Sequence, residues 1–158
     1  MSSSNLLPQS SLATSQLFNE NTFYHSFIQD LWKCREEIII ESPFITTLRM
    51  NDFRSVFRKK IEEGIKICVF TRDPREHDLP MATQAEVEIQ FFERIGIQTL
   101  ICTGNHHRKL AILDREISWE GSLNILSQTH SREIMRKIEN EKLTMKMFNF
   151  LKLARFIV

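Results

Sequence analysis

One short stretch of the sequence, HHRKLAILDREISWEGSLN, carries residue types that can act on a phosphorus–oxygen bond. Alternate side chains of an extended strand share a face, so His107 and Lys109 point the same way. Ser122 and Asn124 are also two residues apart. Lysine, serine and asparagine can hold the non-bridging oxygens of a phosphate. A neutral histidine can attack phosphorus, and a protonated one can protonate a leaving oxygen. The stretch therefore predicts a phosphate-binding catalytic site.

The elements that must position these residues follow from hydrophobic periodicity. Apolar residues at helical spacing predict helices, and short apolar runs bounded by polar residues predict strands. The predicted helices cover residues 17–35, 52–63, 81–95 and 139–158, and the predicted strands cover 36–44, 65–71, 97–102, 109–113, 117–120 and 132–138. Helices alternating with strands favour an α/β fold with a mixed, mostly parallel sheet flanked by helices. The short link at residues 114–116 predicts a hairpin, and 132–138 is expected to be an edge strand.

Glycine is scarce: the chain has 4 among 158 residues, where average usage would give about 11. Gly64 and Gly96 follow predicted helices and are expected to end them. Gly104 opens the loop before the histidine strand. Gly121, with no side chain, is expected to bring its backbone close to the phosphate.

The length and composition fit one domain with an added leader and tail. Residues 1–16 are uncharged and rich in serine, and we interpret them as a flexible leader. Residues 17–138 form the predicted catalytic domain, and 139–158 a C-terminal helix that docks on it or dimerises. The three cysteines are far apart and form no paired motif, which argues against disulfides or a zinc site. No apolar run is long enough to span a bilayer, and no basic secretory signal is visible, so we expect a cytoplasmic protein.

The spacing of six residues resembles the HKD signature of the phospholipase D superfamily. The matching positions are His107, Lys109, Asp114, Gly121, Ser122 and Asn124. Glu120 departs from the pattern, since many members have a second glycine there. The resemblance extends in outline from about residue 23 to 138. It implies the superfamily's fold and a site completed by two such motifs; because this chain has one, it implies a homodimer with the site at its interface.

The resemblance also implies a role for each residue. His107 attacks phosphorus to form a phosphohistidine, and His107 of a second copy protonates the leaving group and later activates water. Lys109, Asn124 and Ser122 bind the phosphate oxygens. Asp114 and Glu133 are expected to support the histidine, although termination of the strand explains Asp114 equally well. Neither a metal nor another cofactor is implied. His106 is expected on the opposite face, in a structural role.

The substrate is less constrained than the chemistry. A homodimeric nuclease acting on DNA or RNA is the leading hypothesis. A lipid phosphodiesterase and a non-catalytic dimerisation module of a larger DNA-processing protein are the alternatives. Basic residues at 49–60, at 72 and 75 and in the tail can flank a nucleic-acid cleft. The net charge of +1 argues against strong independent binding and favours a helicase or DNA-binding partner or fusion.

Overall fold

A mixed β-sheet of seven strands organises the part of the chain that the computed structural model describes, residues 15–158. The strands are β1 (Ser15–Asn19), β2 (Glu37–Glu41), β3 (Lys66–Arg72), β4 (Gln98–Cys102), β5 (Leu110–Leu113), β6 (Ile117–Gly121) and β7 (Ile134–Glu139). The helices are α1 (Phe23–Lys33), α2 (Thr47–Met50), α3 (Arg54–Glu62), α4 (Leu79–Ile95) and α5 (Glu141–Phe150), with 3₁₀ turns at Pro74–Glu76 and Leu153–Arg155.

The sheet has the order β1-β7-β6-β5-β2-β3-β4, and its pairing corrects the expectation of a mostly parallel sheet. Among these strands, β2–β3 and β3–β4 are parallel, whereas the other four pairings are antiparallel. The physical reason lies in the connections: β2, β3 and β4 follow one another through crossovers that contain α3 and α4, as parallel neighbours require. A tight turn joins β5 to β6, whereas β2–β5 and β1–β7 pair strands that are not consecutive in the chain. Helices cease to alternate with strands after β4, and the parallel pairing ceases there too.

The beginning of the described chain differs from the sequence prediction. Residues 15–19 are not helical but pair with β7, so β7 lies inside the sheet and is not the expected edge strand. The Asn19 side chain then forms a turn, because its Oδ1 accepts hydrogen bonds from the backbone N–H groups of Asn21 (2.9 Å) and Thr22 (3.1 Å). Helix α1 therefore begins at Phe23. Residues 1–14 of the predicted leader lie outside the described residues, and residues 15 and 16 belong to β1.

Helix ends follow capping chemistry more closely than periodicity. The predicted helix 52–63 is shorter, since α3 begins at Arg54, and α2 precedes it with Thr46 as its N-cap. Gly96 ends α4 with a φ of 99°, and Gly64 follows α3 with a φ of 83°, as expected for glycines after helices. The last predicted helix stops at Phe150, because Lys152 takes a left-handed φ of 53°.

Two hydrophobic cores cover the two faces of the sheet. On one face, helices α1–α4 pack around Trp119, whose ring meets Phe23 and Phe27 edge-on at centroid distances of 5.2 and 5.7 Å. On the other face, α5 and the C-terminal turn bury Phe148 and Leu153 against β2, β3 and β5. The C-terminal segment thus packs on its own chain, while side chains of β1 and β7 next to it stay exposed.

Candidate functional site

A β-hairpin brings the chemically active residues together. Strand β5 runs away from Lys109, the chain turns, and β6 returns so that Gly121 N donates to Lys109 O (3.3 Å). At the turn, Asp114 and Arg115 have φ values of 51° and 55°, the left-handed pair that a type I′ turn requires. This geometry confirms the hairpin predicted from the sequence and places Ser122 next to the start of β5.

His107 and Lys109 form the first half of the site. The Lys109 Nζ lies 3.2 Å from both imidazole nitrogens of His107 and donates to the His107 carbonyl oxygen at 2.9 Å. The His107 side chain is exposed, and the Lys109 ammonium holds its pKa below the ordinary value, with a smaller contribution from burial. Burial also lowers the pKa of Lys109. The pair thus places a cation beside an accessible imidazole whose pKa it lowers.

Ser122 and Glu133 form the second half. The Ser122 hydroxyl donates to Glu133 Oε2 and accepts from the backbone N–H of Ile134 (3.0 Å). The Glu133 N–H in turn donates to Glu20 (2.8 Å), which fixes the residue before β7. The negative charge of Glu133 raises the pKa of Lys109 against the effect of burial, so the two halves interact electrostatically. Within this chain Glu133 contacts Ser122, and its expected role of holding the histidine stays a prediction.

Asn124 lies in the loop after β6, and its side-chain oxygen lacks a hydrogen-bond partner among the described residues. Its backbone carbonyl accepts from the Tyr24 hydroxyl at 3.2 Å, but its buried Oδ1 has no hydrogen-bond partner within residues 15–158. Arg49 stacks over the Tyr24 ring at 3.5 Å, and burial raises the pKa of the Tyr24 hydroxyl. Tyr24 therefore ties the backbone at Asn124 to α1, and Arg49 covers its ring, contacts that the sequence motif did not indicate.

Asp114 is the motif residue that the structure does not bring to this site. It follows β5 at the strand terminus opposite Lys109, about 16 Å away at strand spacing. Its carboxylate accepts hydrogen bonds from the backbone N–H groups of Arg35 (3.0 Å), Glu36 (2.8 Å) and Glu37 (3.0 Å). Of the two interpretations of Asp114, the structure favours strand termination: the side chain joins the hairpin turn to the start of β2.

Gly121 is needed for strand packing. A Cβ at this position would lie 2.1 Å from Ile134 O, 2.7 Å from Met135 Sδ and 2.9 Å from Met135 Cα. Its backbone is not left-handed, so the close approach of β7 is the reason that only glycine fits. The approach of the Gly121 backbone to a phosphate stays a prediction, and packing against β7 is a separate reason for glycine here.

Three charged residues adjoin the histidine segment: Glu41 and Glu76, which sequence reasoning did not assign to the site, and Arg72, which was expected to flank a nucleic-acid cleft. Glu41 ends β2 and contacts His106 and Arg108. Arg72 ends β3, and its charge lowers the pKa values of both His107 and Lys109. Glu76 follows in the 3₁₀ turn. A signal was present, because charged residues that close adjacent buried parallel strands meet at one edge of the sheet.

A cavity of about 850 Å³ adjoins the site on the face that α5 only partly covers. Its lining includes His107, Arg108 and Lys109 at one end and apolar side chains of β1, β7 and α5 elsewhere. Leu17, Ile134 and Phe150 belong to that lining and are exposed by 61%, 54% and 83%. The cavity thus has a basic end, at residues 107–109, and an open apolar wall. Within the described residues, no three His, Cys, Asp or Glu side chains form a group that could hold a metal ion.

Comparison with known proteins supports the fold. The family model described as "Cardiolipin synthase, PLD-like domain" matches residues 27–152. NucT from Helicobacter pylori superposes with a TM-score of 0.67 at 20% identity, covering 91% of this chain and 97% of that one. Nuc from Salmonella typhimurium, titled a phospholipase D family member, gives 0.70 at 16% identity, covering 88% and 91%. Polyphosphate kinase from Porphyromonas gingivalis gives 0.66 at 13%, covering 88% of this chain and 25% of that one. No curated protein sequence matches the chain.

Proposed function

The chain belongs to the phospholipase D superfamily, and we propose that it is a metal-independent phosphodiesterase that cleaves DNA or RNA. One observation carries the proposal: the Lys109 ammonium lies 3.2 Å from the exposed His107 imidazole and lowers its pKa. A nucleophilic histidine must be neutral at working pH, and the phosphate it attacks needs a cation nearby. The likeness to NucT and Nuc favours nucleic acid among the phosphodiesters.

The proposed reaction has two steps. In the first step, an imidazole nitrogen of His107 forms a bond to phosphorus while the phosphorus–oxygen bond to the leaving group breaks, and a second, protonated histidine gives the leaving oxygen its proton. In the second step, that second histidine, now neutral, takes a proton from water, and the water oxygen bonds to phosphorus as the bond between His107 and phosphorus breaks. Lys109, Ser122 and the Asn124 amide are proposed to bind the non-bridging oxygens.

The second histidine is proposed to come from another copy of the chain. Residues 15–158 place no further histidine in contact with the His107–Lys109 pair except His106, which is turned towards Glu41. The exposed apolar side chains of Leu17, Ile134 and Phe150 beside the site support an interface there, because such surface is costly to leave in water. Sedimentation of the intact protein tests this part: a dimer supports the shared site, and an active monomer contradicts it.

The activity test uses plasmid and single-stranded DNA or RNA in excess EDTA. Cleavage is expected from the wild type, and its loss is expected in His107→Ala and Lys109→Ala. His25→Ala is the matched control, because this exposed histidine lies on α1, where its ring contacts Gln29. Cleavage that persists in His107→Ala would refute the assignment.

The cavity favours one second candidate, a phospholipase acting on lipid phosphodiesters. An acyl chain would fit the apolar wall formed by β1, β7 and α5 while the phosphate reaches His107 and Lys109. No helix of the described residues is both long enough and apolar enough to cross a membrane. Turnover of phosphatidylcholine vesicles without nucleic-acid cleavage would select this candidate. Inactivity on both substrates would favour a non-catalytic dimerisation module.

A further inference from the structure

The segment that carries His107 has a second side, which contacts a carboxylate buried at the end of β2. Side chains alternate along the segment, so His106 and Arg108 point away from Lys109. The Glu41 side chain is fully buried (0% exposed). Its Oε1 accepts a hydrogen bond from Arg108 Nε (3.0 Å) and lies 2.9 Å from Arg108 Nη2. The same oxygen lies 2.9 Å from His106 Nε2 in a contact without hydrogen-bond geometry, and Glu41 Oε2 has no hydrogen-bond partner among the described residues. One oxygen atom therefore joins the residues on both sides of His107 to β2.

The sheet holds only the end of the histidine segment, through the hydrogen bond from Gly121 N to Lys109 O (3.3 Å), and Arg72 Nε donates to the His106 carbonyl oxygen (3.3 Å). Strand β5 begins at Leu110, so residues 107–109 precede the run of paired residues that fixes the strand. The preceding loop is held by Glu76, which accepts from the N–H groups of Gly104 (2.8 Å) and Asn105 (3.0 Å). Those bonds fix the path into the segment, whereas Glu41 contacts the side chains directly before and after His107.

Stability alone is a poor reason for this arrangement. Burying a carboxylate carries a large desolvation cost, and buried ion pairs can often be replaced by apolar residues without loss of stability. Glu41 follows three buried isoleucines on β2, where a fourth apolar residue would continue the pattern. A catalytic pair, however, loses rate steeply when it moves by about 1 Å, so a rigid anchor behind it has a direct use.

We propose that Glu41 is a positioning residue: by binding His106 and Arg108, it holds His107 and Lys109 in the orientation that phosphoryl transfer requires. The kinetic consequence rests on the proposed function, whereas the structural consequence, an ordered histidine segment, does not.

The first test compares Glu41→Gln with Glu88→Gln. Glu88 is a matched control, because it is also fully buried and binds Arg54 through both oxygens (2.6 and 2.7 Å), but between α3 and α4. On the DNA substrate, Glu41→Gln is expected to lower kcat by about 10- to 100-fold and to change KM by less than about twofold. Glu88→Gln is expected to keep kcat within about twofold. Equal losses in both variants, or a full kcat in Glu41→Gln, would overturn the proposal.

The second test uses Arg108, so that it does not depend on Glu41→Gln folding. Arg108→Lys keeps a cation that can reach Glu41 and is expected to retain most of kcat, whereas Arg108→Met removes the hydrogen-bond donor and is expected to lose about tenfold. Equal kcat values in the two variants would contradict the proposal.

The third test needs no substrate. Hydrogen exchange of the peptide covering residues 103–110 is expected to speed up about tenfold in Glu41→Gln and to stay unchanged in Glu88→Gln. Unchanged exchange in Glu41→Gln would overturn the positioning role. If the wild type cleaves no phosphodiester but exchange responds in this way, the proposed function fails while the positioning role of Glu41 stands.

Discussion

Replacing Gly121 by alanine separates two roles that this glycine can have. The new methyl group would lie 2.1 Å from Ile134 O and 2.9 Å from Met135 Cα, and both are backbone atoms of β7 that cannot rotate away. Relief requires β7 to move, which also stretches the 3.0 Å hydrogen bond from Ser122 N to Ile134 O. Overpacking of this kind costs about 1–3 kcal/mol, and the weakened hydrogen bond costs about 1 kcal/mol. We therefore expect Gly121→Ala to lower the free energy of unfolding by about 3 kcal/mol.

For a chain of this size, that loss corresponds to a fall in Tm of about 9 °C, measurable by calorimetry or circular dichroism. Gly64→Ala is the control, because Gly64 has a φ of 83° and a methyl group added there would meet no atom within 4 Å, so only backbone strain of about 1 kcal/mol is expected. If Gly121→Ala melts no lower than Gly64→Ala yet loses all activity, the packing argument is refuted and the glycine serves a bound phosphate.

Three other substitutions test the electrostatics around the fold and the site. Asp114→Ala removes the acceptor of three backbone N–H groups and is expected to cost about 2–3 kcal/mol in urea unfolding with kcat nearly unchanged; a lost kcat at full stability would contradict this. Lys109→Met removes the cation that lowers the pKa of His107, so the imidazole should hold its proton to higher pH; NMR titration giving an equal or lower midpoint would show otherwise. Lys137→Met leaves Asp30, 2.8 Å away and buried, without its cation; thermal unfolding should show a loss of about 3–5 kcal/mol, and a loss under about 1 kcal/mol would argue against it.

The sequence allows prediction of local features because their causes are local. The isoleucine run of β2, the hairpin turn at Asp114 and the glycine after α4 each depend on neighbouring residues, and the structure confirms them. The antiparallel pairing of β1 with β7 joins residues more than a hundred positions apart, so the residues next to β1 in the sequence do not indicate it. The apolar face that begins at residue 17 therefore predicts a helix, although the first residues of that stretch pair with β7.

The candidate site likewise has some features with local causes, which the sequence predicts, and others that depend on distant residues. Alternation on a strand is enough to predict that His107 and Lys109 share a side, and the 3.2 Å contacts agree with it. No spacing rule shows that a carboxylate from β2 would meet His106 and Arg108, since that contact depends on β2 and β5 being neighbours in the sheet. Glu41 is visible in the sequence only as a charge that closes an apolar strand.

The geometry of the β5–β6 hairpin explains the fixed spacing of the motif without a catalytic role for each of its six residues. The four residues between Lys109 and Asp114 make one strand, Asp114 begins the turn, and the next six residues return the chain to Lys109. Side chains alternate along a strand, so one residue more or fewer would reverse the faces of β6 and send Ser122 to the wrong side. Asp114 secures the turn end of this hairpin and Gly121 lets β7 pack beside its other end. The spacing is therefore a measure of hairpin length, and under the proposed function only part of the motif needs to contact the substrate.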